Sequence, residues 1–153
     1  MGKFCLLVLV FCLAAPAQKG KPNFSGTWEL VIEKSDFGSL PPPKKVINVI
    51  EHKEPMLTMK SHLSLPQGDY TSDFKYRTSG AEDVNESYSS VMKTRAQWVK
   101  QELVIEGDIE TRAQVVHYTE RWQLLDGGKT LVNNRTVKAG KEDIVQKLVY
   151  VKK

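Results

Sequence analysis

The sequence predicts an all-β domain built as an antiparallel up-and-down β-barrel of about nine strands. Two patterns carry that expectation. Apolar and polar residues alternate with period two along most of the chain, as in strands with one buried and one wet face. Turn-forming clusters interrupt these runs at intervals of roughly 8 to 15 residues. That spacing suits a meander of neighbouring strands and is too short for crossover helices between parallel strands.

The N-terminus comes first in order. Lys3 is the sole charge in residues 1–17, Phe4 to Leu13 is a continuous apolar run, and Ala15 and Ala17 form a small-x-small pair. This is the pattern of a cleaved secretory signal, and the run is shorter than the ~20 residues needed to span a bilayer. The expectation is an exported protein, periplasmic or secreted, that starts near Gln18 and has no membrane span after cleavage. Both cysteines, Cys5 and Cys12, would leave with the signal, and the remaining 136 residues would carry a net charge of +3. No disulfide, thiol nucleophile or thiolate metal site would remain. Gln18 to Asn23 reads as a flexible lead-in, and residues 24–153 as one barrel domain.

The strand candidates run near 26–36, 45–52, 56–65, 70–78, 87–98, 102–111, 114–125, 130–137 and 144–152. Trp28, Leu30 and Ile32 share one face of the first, and Met92, Thr94, Ala96 and Trp98 one face of the fifth. Glu54-Pro55, Pro66 to Asp69, Ser79-Gly80, Asp126 to Lys129 and Ala139 to Lys141 mark turns. Pro41-Pro42-Pro43 reads as a rigid loop. A meander with one apolar face must cover that face, and closing the sheet does so while removing exposed edges. A two-sheet sandwich is the runner-up.

The run Phe24-Ser25-Gly26-Thr27-Trp28-Glu29-Leu30 resembles the opening of calycin barrels. Lipocalins begin with Gly-x-Trp, and intracellular fatty-acid-binding proteins with Phe-x-Gly-Thr-Trp-x-Leu. Trp122 to Leu131 and the final Leu148-Val149-Tyr150 fit the same pattern. The mature chain is also similar to a group of exported bacterial lipocalin-like proteins that carry F-S-G-T-W-x-L, K-S-D-F-G (here Lys34 to Gly38) and E-R-W (Glu120 to Trp122). The resemblance implies a barrel whose interior takes a small hydrophobic molecule, with Trp28 plugging one end. Two features depart from the fatty-acid-binding pattern. Asp36 to Lys44, nine residues with three prolines, leaves no room for a pair of lid helices, and Leu148 stands where Arg-x-Tyr would place arginine before Tyr150.

Little in the chain points to catalysis. No Gly-x-Ser-x-Gly, His-Glu-x-x-His or glycine-rich phosphate loop occurs. His52, His62 and His117 fall on three separate strands and read as solvated side chains rather than metal ligands. The basic residues are scattered, which argues against nucleic-acid binding. The expectation is a non-enzyme with no catalytic residue, metal or cofactor.

Alternation turns Phe74, Tyr76, Trp98, Tyr118, Tyr70 and Trp122 inward, as core filler or as a ligand lining. Gly127-Gly128 reads as a two-residue hairpin turn. Leu124 then faces Leu131, Trp122 faces Asn133, Glu120 faces Arg135, and Tyr118 faces Val137. A carboxylate and a guanidinium on an apolar face must be paired. The pair either sets strand register or serves as a polar handle in which Arg135 anchors an acidic head group, with Glu120, Tyr150 and Gln146 nearby. Two functions follow from different classes. One is a carrier of a small hydrophobic or amphipathic molecule, bound by Arg135, Glu120, Tyr150, Tyr118, Trp98, Phe74 and Tyr76. The other is an interaction or inhibitor barrel whose interior is filled by its own side chains and whose loops meet another protein.

Overall fold

The computed structural model describes residues 20–87 and 90–153. The signal expected at 1–17 lies outside them, as do Gln18 and Lys19. Ten strands follow one another: β1 (Gly26–Leu30), β2 (Lys45–Lys53), β3 (Met56–Leu65), β4 (Gly68–Arg77), β5 (Ser79–Ser87), β6 (Ser90–Val99), β7 (Glu102–Glu110), β8 (Val115–Leu125), β9 (Thr130–Ala139) and β10 (Glu142–Lys152). Among the described residues the only helical elements are two 3₁₀ turns of three residues, Ile32–Lys34 and Asp126–Gly128.

The strands form one antiparallel sheet in the order β4-β3-β2-β1-β10-β9-β8-β7-β6-β5. Every neighbour is also a neighbour in sequence except β1 and β10, which join the chain ends: Trp28 stands opposite Lys152, and Leu30 opposite Tyr150. The sheet curls until β4 and β5 come together, closing an up-and-down barrel. That last seam is held by side chains. Asn85 Oδ1 accepts the Lys75 backbone N–H at 2.7 Å while Asn85 Nδ2 donates to the Lys75 carbonyl at 3.0 Å, so one amide does the work of a ladder rung. Asp83 accepts the Arg77 backbone N–H at 2.6 Å, and the Ser72 and Ser87 hydroxyls meet at 3.0 Å.

This seam explains why ten strands form where about nine are expected. The inward positions of β5 are Asp83, Asn85 and Ser87, all buried. Their polarity hides the alternation that marks the other strands. The first strand is also shorter than its apolar pattern suggests, since the chain leaves the sheet after Leu30 and Ile32 opens a 3₁₀ turn. The hairpin between β8 and β9 has a four-residue loop, Asp126 to Lys129, rather than two residues. Asp126, Gly127 and Gly128 take positive φ of 52°, 64° and 85°. One residue is added on each side of the glycine pair, so the register is unchanged: Leu124 pairs with Leu131, Trp122 with Asn133, Glu120 with Arg135 and Tyr118 with Val137.

One end of the barrel is packed shut. Trp28 and Phe24 are fully buried, and the Trp28 indole N–H donates to the Phe24 carbonyl at 2.8 Å. Phe24 stacks on Trp98 at 5.9 Å and meets Trp122 edge-on at 5.7 Å. His52 belongs to this plug, contrary to the expectation of a solvated histidine: it is 7% exposed and packs against both Phe24 and Trp98. The Phe24 backbone N–H donates to Nδ1 at 3.2 Å, so the ring proton sits on Nε2, which donates to Glu54 Oε1 at 3.0 Å. His62 and His117 are exposed, as alternation requires.

The other end is crossed by the segment 35–44. Asp36 bridges Lys147 on β10, the Val149 N–H donates to Ser35 Oγ at 3.0 Å, and Gln146 Nε2 donates to the Phe37 carbonyl at 3.2 Å. Gly38 turns the strap with φ +61°, and a Cβ there would lie 2.5 Å from the Val145 carbonyl oxygen. The triple proline lies in this strap.

Candidate functional site

Between plug and strap the barrel encloses a cavity of about 380 Å³, within the range of small-molecule sites. Leu30, Val46, Met59, Phe74, Met92, Ile109, Leu131 and Leu148 supply much of its apolar wall, with the rings of Tyr76, Trp122 and Tyr150. Phe37, Leu40, Pro41 and Pro43 of the strap, with Leu63 and Leu65 of β3, form the mouth.

Asn48 and the serines Ser61, Ser72, Ser87 and Ser90 interrupt this wall on one side, and on the other the pairing of β8, β9 and β10 builds a charged cluster. Glu120 on β8 stands opposite Arg135 on β9, which stands opposite Gln146 on β10. Two positions along, Trp122 stands opposite Asn133, which stands opposite Leu148. Glu120 is the hub. Its Oε2 accepts the Trp122 indole N–H at 2.8 Å and Asn133 Nδ2 at 3.0 Å, and its Oε1 lies 3.4 Å from Arg135 Nε. The Arg135 guanidinium also lies over the Tyr118 ring, 5.5 Å from its centroid. Tyr118 stands opposite Gly107 on β7, where a Cβ would collide with the Lys93 carbonyl.

The cluster is under-satisfied. Arg135 Nε, Tyr118 OH, Asn133 Oδ1 and Asn48 Oδ1 are all buried without a hydrogen-bond partner in the protein. Burial raises the Tyr118 and Tyr150 phenols above their ordinary pKa, the Glu120 charge adds to the rise, and Arg135 opposes it. Burial raises Tyr76 well above the ordinary value for the same reasons. All three phenols are therefore neutral donors across the physiological range. Among the described residues no group of three or more histidine, cysteine or carboxylate side chains is placed to hold a metal ion.

The residues expected to bind a ligand divide by place. Glu120, Arg135, Tyr150, Phe74 and Tyr76 line the cavity. Tyr118 is buried beneath the Arg135 guanidinium rather than on the cavity surface. Trp98 does not reach the cavity: its indole N–H donates to Glu54 Oε1 at 2.7 Å, in the closed end. Asn48 and Asn133 line the cavity although the expected set omits both. Asn133 was within reach of the sequence, since the hairpin register already turns it inward opposite Trp122. Asn48 was not, because Val46, Ile47, Val49 and Ile50 leave both phases of β2 apolar.

The sequence matches no protein-family model, and a search of curated proteins finds no relative. Solved structures do resemble it. Zebrafish ileal bile acid-binding protein complexed with cholic acid aligns over 85% of this chain and 98% of its own, at 16% identity and a TM-score of 0.61. Secretory abundant heat soluble protein 4 from Ramazzottius varieornatus aligns over 88% and 99%, at 15% identity and 0.61. Human cRBP IV aligns over 86% and 99%, at 18% identity and 0.57. At these identities the likeness is one of fold, and the fold is calycin-like.

Proposed function

We propose that this protein is a non-catalytic carrier that binds a small hydrophobic or amphipathic molecule inside its barrel. The observation that carries the reading is the cavity of about 380 Å³, apolar over most of its wall, with its charged side chains gathered on β8 and β9. A barrel serving only as a rigid frame for its loops would fill that space with its own side chains. The fold likeness to a bile acid-binding protein complexed with cholic acid supports the same reading. In it, Phe74 and Tyr76 give the ligand apolar contact, Glu120, Arg135 and Tyr150 meet its polar end, Tyr118 supports Arg135, and Trp98 has no part. Export completes the proposal. Residues 1–17 act as a cleaved signal, and the carrier works in the periplasm or outside the cell.

Native mass spectrometry of protein purified from its own host tests the carrier. The expected result is a mass increment from a co-purified small molecule, lost on denaturation, together with saturable uptake of a neutral apolar dye such as Nile red by the stripped protein. A protein that is ligand-free and takes up no dye would overturn the reading and favour the interaction barrel. N-terminal sequencing of exported material tests the signal, and an intact Met1 would exclude it.

A further inference from the structure

The chemistry of the polar cluster goes further than the presence of a cavity. Glu120 and Arg135 are the two charged side chains among the described residues that line it. They stand directly opposite each other, with Oε1 and Nε 3.4 Å apart. Their charges cancel within the site. A ligand bringing one more charge would leave it without a counter-charge in an apolar cavity, where an unpaired ion is costly.

The unpaired atoms point the same way. Asn133 Nδ2 donates to the Glu120 carboxylate, and that bond fixes the amide's orientation, because an amide oxygen cannot face a carboxylate oxygen. Asn133 Oδ1 is therefore a true acceptor, 94% buried with its residue and without a partner. Asn48 lines the same cavity, buried and hydrogen-bonded to Tyr150. Arg135 Nε, ion-paired with Glu120, makes no hydrogen bond. So the site offers an amide oxygen that needs a donor and a guanidinium N–H that needs an acceptor. A hydroxyl is both at once. A carboxylate is an acceptor only: it could use Arg135 but would face the Asn133 oxygen and the Glu120 carboxylate.

We propose that the molecule carried in this barrel presents an uncharged hydroxyl group to the Glu120–Arg135–Asn133 cluster, and that Glu120 is the residue that excludes anionic head groups. This rests on the carrier reading above and replaces the expectation that Arg135 anchors an acidic head.

Competition against bound Nile red at neutral pH tests it, with dodecanol and dodecanoate as matched probes that differ only in the head. Dodecanol should displace the dye at about tenfold lower concentration than dodecanoate, since a site built to hydrogen-bond a hydroxyl discriminates strongly by head group. Glu120→Gln should reverse the order, because Arg135 would then be the uncompensated charge. Glu120→Gln combined with Arg135→Gln should restore the preference for dodecanol, and it serves if the single variant does not fold. Equal displacement by the two probes, or a preference of the unaltered protein for dodecanoate, would overturn the proposal while leaving the carrier reading intact. Failure of the folded protein to take up Nile red or either probe would overturn both.

Discussion

Glu120 and Arg135 face each other across β8 and β9, and the carboxylate serves more partners than the guanidinium does. Glu120 also accepts the Trp122 indole and the Asn133 amide, whereas Arg135 Nε makes no hydrogen bond of its own. The asymmetry determines what a double-mutant cycle should show. Glu120→Ala strands two hydrogen-bond donors and leaves the Arg135 charge unpaired, and should destabilise by about 3–5 kcal/mol. Arg135→Leu on that background removes the stranded charge and should recover part of the loss. Full recovery is not expected, since Trp122 and Asn133 still lack their acceptor. Denaturant unfolding of the four proteins measures the coupling. Strict additivity of the two substitutions would mean that the side chains do not interact, in spite of their register.

The register of this hairpin was legible because both strands alternate cleanly and the two glycines mark the turn. What was legible elsewhere follows the same physics. The seven other expected segments and the turns between them can be read because nearly all present apolar residues on one face. Alternation fails where the inward residues are not apolar. β5 escapes because Asp83, Asn85 and Ser87 point inward to close the seam, and a sequence pattern cannot separate such residues from a solvated loop. It fails again where both faces are apolar, and this hides Asn48 and His52 on β2. Half of the polar cluster was thus readable, from Glu120, Arg135 and Tyr150. The rest depends on which partner each amide finds, and that is settled only when distant strands meet.

The β4–β5 seam yields a local prediction. Asn85→Ala removes both bonds to Lys75 and leaves its N–H and C=O without partners at the seam. Amide exchange at Lys75 should accelerate, and stability should fall by about 1–3 kcal/mol, the cost of unpaired buried backbone groups. Asn134→Ala, an exposed position on β9, is the control and should change neither. Unchanged protection at Lys75 would show that the seam is held by something other than the Asn85 amide.

Trp28 should be among the most costly positions to truncate. Its side chain is fully buried in the plug, and its indole N–H is paired with the Phe24 carbonyl. Trp28→Ala should cost about 3–5 kcal/mol, through lost burial and the cavity left behind. Trp28→Phe keeps most of the apolar volume but strands the Phe24 carbonyl, and should cost less. A loss below about 1 kcal/mol for the alanine variant would be inconsistent with a packed core site.

The closed end should respond to acid through Glu54. Its carboxylate accepts the Thr78 hydroxyl at 2.6 Å on Oε2, and the Trp98 indole at 2.7 Å and His52 Nε2 at 3.0 Å on Oε1. Burial alone would raise its pKa. The three hydrogen bonds together outweigh burial, and the net shift is downward from the ordinary 4.5. A carboxyl whose folded pKa lies below its unfolded one binds protons more readily in the unfolded chain. The stability that Glu54 contributes is therefore complete above about pH 4.5. It is lost as the pH falls from there through the folded value. Protonation there weakens its bond with Trp98, so Trp98 fluorescence should change over the same interval. Glu54→Gln keeps the shape and removes the titration, so its unfolding midpoint should depend less steeply on pH in that window than that of the unaltered protein. Identical slopes in the two proteins would show that Glu54 does not couple folding to pH. An unchanged Trp98 signal would place that coupling elsewhere in the barrel.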